Sequence, residues 1–154
     1  MKLAEALLLR ADIQKKVASL RDRITRYAVV QEGDKPAEDP TKLLAQVAGV
    51  LAQLEEVVFK INRANLENKL ADGRTLTAAM AARDVLIQRH SIYQSAIAGS
   101  AREPDRYGLK EVKWVHTLNV SSLQKQSDDL AKQIRELNAG IQEANWKTDV
   151  DIKE

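Results

Sequence analysis

Three asparagines repeat at intervals of three residues within a long apolar stretch. Asn62, Asn65 and Asn68 would stack along one side of a helix, where its seam should be apolar. Because asparagine is a mediocre helix former, three of them in one place need a reason. Three interpretations stay open: a helix nearing its end, a buried polar layer that fixes register as in coiled coils, or a ligand site.

The chain after these asparagines suggests what faces them. The turn at Asp72-Gly73-Arg74 is short, so the helices on either side should be antiparallel, with level positions adding to about 147–148. That register sets Asn65 opposite Arg83, whose guanidinium an amide oxygen and a nearby carboxylate would neutralise. The candidate polar layer or ligand site therefore comprises Asn62, Asn65, Arg83, Asp84 and His90.

Signatures of catalysis or metal binding are weak. His90 and His116 have no second ligand at metal-binding spacing, and the HExxH, phosphate-loop and GxSxG patterns are absent from the sequence. The chain contains no cysteine, which excludes disulfides, thiolate zinc sites and thiol nucleophiles. We therefore expect no metal and no cofactor, and the sequence favours a protein that is not an enzyme.

The charge balance excludes several partners. Lys and Arg number 24 against 22 Asp and Glu, a formal charge of +2, whereas nucleic-acid grooves need a concentrated basic field. Glu5 interrupts the apolar N-terminal run, and no window approaches the ~20 apolar residues of a spanning helix. We expect a cytoplasmic protein with no nucleic-acid partner and no membrane partner.

Four segments have the hydrophobic period of helices with coiled-coil-like seams. Start and stop signals such as Asp39-Pro40, Gly73, Thr75 and Ser121 place the helices at about 2–27, 40–70, 76–100 and 122–145. The second seam is predicted to comprise Leu44, Val47, Leu51, Leu54, Val58, Ile61, Asn65 and Asn68. The first seam runs from Leu3 to Tyr27 and includes Arg10, the third runs from Leu76 to Ile97 and includes Arg83 and His90, and the fourth runs from Leu123 to Ala144.

One stretch departs from this helical pattern. Residues 111–120 alternate between apolar and polar side chains, which predicts a strand at about 111–119. It would form a short two-stranded ribbon with Ala28–Gln31, within the chain or across a dimer. No internal repeat is evident beyond the heptads. The predicted fold is thus a single, mainly α domain over 1–154: an elongated antiparallel helical hairpin or bundle with a short β ribbon.

Several local strings resemble the septicolysin family of bacterial proteins. They are Ile61-Asn62-Arg63-Ala64-Asn65, Asp72-Gly73-Arg74-Thr75-Leu76 and Ala82-Arg83-Asp84-Val85-Leu86, then Asp105-Arg106-Tyr107, Glu111-Val112-Lys113-Trp114-Val115 and Ile141-Gln142-Glu143-Ala144-Asn145-Trp146. The resemblance covers nearly the whole chain. The family name implies a cytolysin, but the family brings no catalytic residues to these positions. A pore former would also need a lipid-crossing segment, and residues 111–120 are at the short end for one.

The leading functional prediction is a helical interaction protein that self-associates as a dimer or larger homo-oligomer. Long apolar seams with only six aromatic residues leave more helix surface than one thin hairpin can bury. The alternative is a ligand-binding protein or enzyme that uses the polar layer around Asn65 and Arg83. A cytolysin ranks third.

Overall fold

The computed structural model describes residues 1–101 and 114–152, which contain four helices. They are α1 (Leu3–Tyr27), α2 (Pro40–Glu67), α3 (Leu76–Ser100) and α4 (Val120–Lys147). The prediction of a mainly helical chain is confirmed, and every helix begins and ends close to its predicted position.

The helix ends follow the chemistry of their capping residues. A carboxylate oxygen of Asp39 accepts a hydrogen bond from the Thr41 amide at 2.9 Å, ahead of α2. The Thr75 hydroxyl accepts one from the Ala78 amide at 3.2 Å at the start of α3. The first turn of α4 is capped by Asn119 rather than by the predicted Ser121, since the Asn119 side-chain oxygen accepts from the Ser122 amide at 3.0 Å.

The chain divides into two compact units. Unit 1 comprises Met1–Lys69 and the segment that begins at Gln142, and unit 2 comprises Leu70–Ile141. The prediction of one domain over 1–154 stays a prediction. In unit 1, α1 packs along α2. Their buried side chains form one core, which comprises Leu3, Ala4, Ala6, Ile13 and Leu20 of α1 and Leu43, Val50, Val57, Ile61 and Ala64 of α2.

The two ends of the chain meet in unit 1. The Val150 amide donates to the Met1 carbonyl at 2.8 Å, and the Leu3 amide donates to the Thr148 carbonyl at 2.9 Å. The Lys2 ammonium lies 2.8 Å from the Asp149 carboxylate. A hydrogen bond from this lysine lowers the pKa of Asp149. These contacts fix the N-terminal start of α1 against the residues that follow α4.

Unit 2 has buried residues of its own. Its fully buried side chains include Leu76 and Ala79 of α3, together with Ser127 of α4. The Gln94 amide nitrogen donates to the Ser127 hydroxyl at 2.6 Å, which satisfies this buried polar group between α3 and α4.

The described residues do not support the predicted β ribbon. Among the described residues the structure contains no strand, and residues 111–113 of the predicted strand lie outside them. Trp114 and Val115 are 69% and 72% exposed, and Val29, on the proposed partner segment, is 85% exposed. The alternating pattern predicts a strand only if one face is covered, and here adjacent residues that should lie on opposite faces are both in solvent.

The predicted seam of α2 is wrong by one residue at alternate positions, whereas Ile61 is buried as predicted. Leu44 and Leu51 are 56% and 45% exposed, whereas their neighbours Leu43 and Val50 are buried. The apolar arc of α2 is wider than one stripe, because apolar residues occur at adjacent positions. Packing against α1 selects the stripe that begins at Leu43.

The four helices form a two-fold repeat that the sequence analysis does not detect. Helices α1 and α3 both have 25 residues, and α2 and α4 both have 28. Leu3 and Leu76 begin α1 and α3, so equivalent positions in these helices are 73 residues apart. Both leucines are fully buried, as are Ala6 and Ala79 at the next equivalent pair.

The ends of α2 and α4 carry the same repeat. Pro40 and Val120 begin these helices, so equivalent positions are 80 residues apart. Residues 61–70 and 141–150 then share isoleucine at the first position and Ala-Asn at the fourth and fifth. The amide of Leu70 donates to the Arg74 carbonyl at 2.8 Å, as the amide of Val150 donates to Met1. The chain is therefore built from two helical hairpins of similar design.

Candidate functional site

The three asparagines of the predicted polar layer occupy different environments on α2. Asn62 is exposed and Asn65 is half-buried. Asn68 caps the helix: its backbone amide and its side-chain amide both donate to the Ala64 carbonyl, at 3.0 and 2.9 Å. Asn68 therefore acts as a residue that ends the helix, which is the first of the three interpretations.

The remaining predicted site residues lie on α3. The Arg83 guanidinium donates to the carboxylate of the next residue, Asp84, from Nη2 at 2.8 Å and from Nε at 3.0 Å. Arg83 and His90 are half-buried, and Asp84 is exposed. The predicted contact of Asn65 with Arg83 would join the two units and stays a prediction, as do the ligand-binding and lytic alternatives.

Arg10, which the sequence analysis leaves out of the site, is the α1 equivalent of Arg83. Its Nε is buried and has no hydrogen-bond partner among the residues that the structure describes. Arg83 is satisfied by its pair with Asp84. Arg10 is instead followed by Ala11, which offers no side-chain acceptor.

The grooves of the molecule are shallow. One, of about 470 Å³, is lined by residues of the α1–α2 connection, including Tyr27, Val30 and Pro36. A second, of about 410 Å³, is lined mostly by apolar atoms of Ile97, Ala101, Leu118 and Val120, together with Ser100 and His116. Within residues 1–101 and 114–152, no three His, Asp or Glu side chains are grouped so that they could hold a metal ion.

Two ion pairs lie at the connections that precede α2 and α3. Arg23, near the end of α1, binds Glu38 just ahead of α2, with Nε at 2.8 Å from the carboxylate. This hydrogen bond lowers the pKa of Glu38. Arg74 binds Asp72 in the turn before α3 and lowers the pKa of that carboxyl in the same way. Both ion pairs join residues that are close in sequence, as expected of pairs that hold a loop in one conformation.

No helix in the described part of the chain is both long enough and apolar enough to cross a bilayer.

An uncharged exposed surface lies along α3. Seven exposed residues repeat with alternating steps of three and four, and none of them carries a charge. Val85 and Ile92, at its centre, are 63% and 66% exposed. We call this surface the α3 exposed face; it comprises Ala78, Ala81, Val85, Gln88, Ile92, Ser95 and Gly99.

The repeat provides an internal comparison for this face. The equivalent positions of α1 are also all exposed, but five of the seven are charged. Asp12 stands where α3 has Val85, and Ser19 stands where α3 has Ile92. We call this surface the α1 exposed face; it comprises Glu5, Leu8, Asp12, Lys15, Ser19, Asp22 and Arg26. The equivalent positions are thus mostly charged in the first hairpin and uncharged in the second.

Charged residues flank the α3 exposed face. Asp84 lies on one side of the face, and Arg89 lies on the other. Arg89 donates to the Tyr93 hydroxyl from Nη2 at 3.0 Å, and its guanidinium lies 5.3 Å from the centre of that ring. This surface was not predicted, because the seam predicted for α3 lies on the opposite side of the helix. The same three-and-four spacing, read from Ala78, is the sequence signal for it.

Comparison with known proteins identifies the family. Residues 10–150 match the family described as "Family of unknown function (DUF6847)". The chain is also similar to a functionally unknown conserved protein from Corynebacterium diphtheriae, whose crystal structure superposes with a TM-score of 0.87 at 34% identity. The match covers 98% of this chain and 99% of that one.

No curated protein matches the chain. The resemblance to septicolysins stays a prediction, because neither the matched family nor the Corynebacterium protein carries that name. The family match spans more than nine-tenths of the chain, from within α1 to beyond the end of α4. The chain therefore belongs to this family of unknown function.

Proposed function

We propose that this protein works as an assembly of identical chains, joined through the α3 exposed face. One observation carries the proposal: the α3 exposed face is uncharged, whereas the equivalent α1 exposed face has five charged residues out of seven. Both faces are at the surface of the single chain. Only the α3 exposed face has the composition of a surface that is covered by another helix.

The energetics of Val85 and Ile92 support the same proposal. Burial of one such side chain stabilises by about 1.5–3 kcal/mol relative to full exposure, and both are about two-thirds exposed in the single chain. The alanines and the glycine on this face allow a second helix to approach closely. Because the face is a single helix stripe about 30 Å long, we expect a reversible dimer of micromolar affinity rather than a permanent one.

Light scattering on the intact chain tests the proposal. At concentrations from a few to several hundred micromolar, the wild type should shift from 17.2 kDa towards twice that mass. The variant Val85→Glu/Ile92→Glu should remain at 17.2 kDa, because association would bury four carboxylates at the centre of the interface.

The matched control uses the first hairpin. Ser19→Glu adds a carboxylate to the α1 position equivalent to Ile92 and should leave the assembly unchanged. Circular dichroism should show the same helix content in all three proteins, so that loss of assembly is not loss of fold. A wild type that stays monomeric over the whole range contradicts the proposal, and so does a Val85→Glu/Ile92→Glu variant that still assembles.

A further inference from the structure

We infer that the α3 exposed face binds the α3 helix of a second copy in parallel orientation and in register. This inference rests on the proposed self-association and adds the partner helix and its direction. The side chains at each heptad position of the face support it. In heptad notation, Ala78, Val85, Ile92 and Gly99 occupy the a positions, and Ala81, Gln88 and Ser95 occupy the d positions.

The two large apolar residues are both β-branched and both at a positions. In parallel two-stranded coiled coils, β-branched residues at a pack well, because each lies beside the same residue of the partner. A parallel pair places Val85 next to the partner's Val85 and Ile92 next to the partner's Ile92. The small residues at both ends of the face leave these two layers as the apolar centre.

Gln88 lies between these two layers and fixes the register. In a parallel pair in register, its side chain faces the partner's Gln88. One amide can donate to the oxygen of the other, so the pair satisfies itself. A shift by one heptad would set Gln88 beside an alanine or a serine and leave an amide group without that partner. A single polar core layer specifies register in this way.

The charged residues that flank the α3 exposed face favour the parallel orientation of the two helices. In parallel coiled coils, a g residue lies beside the e residue five positions later on the other helix. Asp84 is at g and Arg89 is at e, so each Asp84 would meet the partner's Arg89, twice per dimer. An antiparallel pair centred on the same face would set Arg89 against the partner's Arg89, which repels.

These two side chains are free to form such bonds in the single chain. Asp84 and Arg89 are both exposed. Their present contacts are to residues of their own helix: Asp84 with Arg83, and Arg89 with Tyr93. Both hydrogen bonds from Arg83 end on Oδ1 of Asp84, which leaves Oδ2 to accept from the partner's Arg89. The exposed contact of Arg89 with Tyr93 contributes little stability, so its loss costs little.

Disulfide cross-linking distinguishes the two directions, and the chain contains no cysteine of its own. Val85→Cys places two thiols in the same a layer of a parallel pair, where close approach permits a disulfide. Under mild oxidation, this variant should shift to twice the chain mass on a non-reducing gel, and a reductant should reverse the shift. Asp12→Cys, at the equivalent α1 position, should stay at the mass of one chain.

An antiparallel pair predicts a different result, because Val85 then lies near the C-terminal part of the partner's face rather than beside the partner's Val85. If Val85→Cys and Ile92→Cys each fail to cross-link while the protein scatters as a dimer, the parallel inference is wrong and the proposed assembly stands. If the protein is a monomer by light scattering, the proposed function fails, and this inference falls with it. Efficient cross-linking of both single variants supports the parallel pair.

Discussion

At the scale of single residues, the two hairpins treat equivalent arginines differently. Arg10 and Arg83 occupy the same position of the repeat, and both are half-buried. Arg83 is followed by an aspartate that accepts two of its hydrogen bonds. Arg10 is followed by an alanine, and its buried Nε has no partner in the described part of the chain. Arg10 therefore carries a desolvation cost that Arg83 avoids.

Arg10→Met should stabilise the protein. Methionine keeps the length of the apolar stem and removes the unpaired nitrogen, which we expect to raise the free energy of unfolding by about 1 kcal/mol. In a thermal denaturation this corresponds to an increase in Tm of roughly 2–4 °C for a chain of this size. The control, Arg83→Met, loses a partly exposed pair and should change stability by less than about 1 kcal/mol. An Arg10→Met variant that unfolds at a lower temperature would show that this guanidinium has a stabilising partner.

At the scale of elements, capping chemistry made the helix ends predictable. Asp39 with Pro40, Thr75 and Gly73 act locally, through hydrogen bonds and backbone angles that depend on a few neighbours. Gly73 adopts a φ of +86°, the left-handed conformation that its turn requires. The predicted seams of α1, α3 and α4 correspond to the less exposed sides of those helices.

The sequence pattern was insufficient where tertiary contacts determine which residues are buried or paired. On α2, Leu43 and Leu44 are equally apolar, and only the presence of α1 determines which is buried. Residues 114–119 have a strand-like pattern but no partner strand among the described residues, so the pattern has no structural effect. The α3 exposed face was missed because the predicted seam already accounted for the apolar residues of the other side of that helix.

The glycines inside α2 and α4 differ in their surroundings. A Cβ added at Gly49 would meet no atom within 4 Å, so Gly49→Ala should stabilise α2 by about 0.5–1 kcal/mol through lower backbone entropy in the unfolded chain. A Cβ at Gly140 would lie 3.3 Å from a terminal carbon of Leu70. Because that leucine must shift, Gly140→Ala should gain less. Urea denaturation of both variants measures the difference, and an equal or larger gain at Gly140 contradicts it.

At the scale of the whole molecule, the repeat has kept its cores and changed its surfaces. Leu3 and Leu76, like Ala6 and Ala79, are equally buried, while the exposed faces of α1 and α3 differ in charge. When a helix face binds the same face of a second chain, neither chain has that face free for a third. The proposed assembly through α3 is therefore closed at two chains and does not extend into a fibre.

The meeting of the chain ends has a consequence for connectivity. Val150 donates to Met1 as Leu70 donates to Arg74, with the same distance of 2.8 Å. In the second case three residues, Ala71, Asp72 and Gly73, complete the covalent link. The same tripeptide inserted after Val150 should therefore be long enough to join it to Met1.

A circular permutant follows from this equivalence. It would begin at Arg74, run to Val150, pass through a new Ala-Asp-Gly linker into Met1, and end at Leu70. Because the cut falls in an exposed turn and the new junction copies an existing one, we expect the helix content of the natural order and cooperative unfolding. Circular dichroism with thermal denaturation measures both, and a permutant that fails to fold would show that the two junctions are not interchangeable.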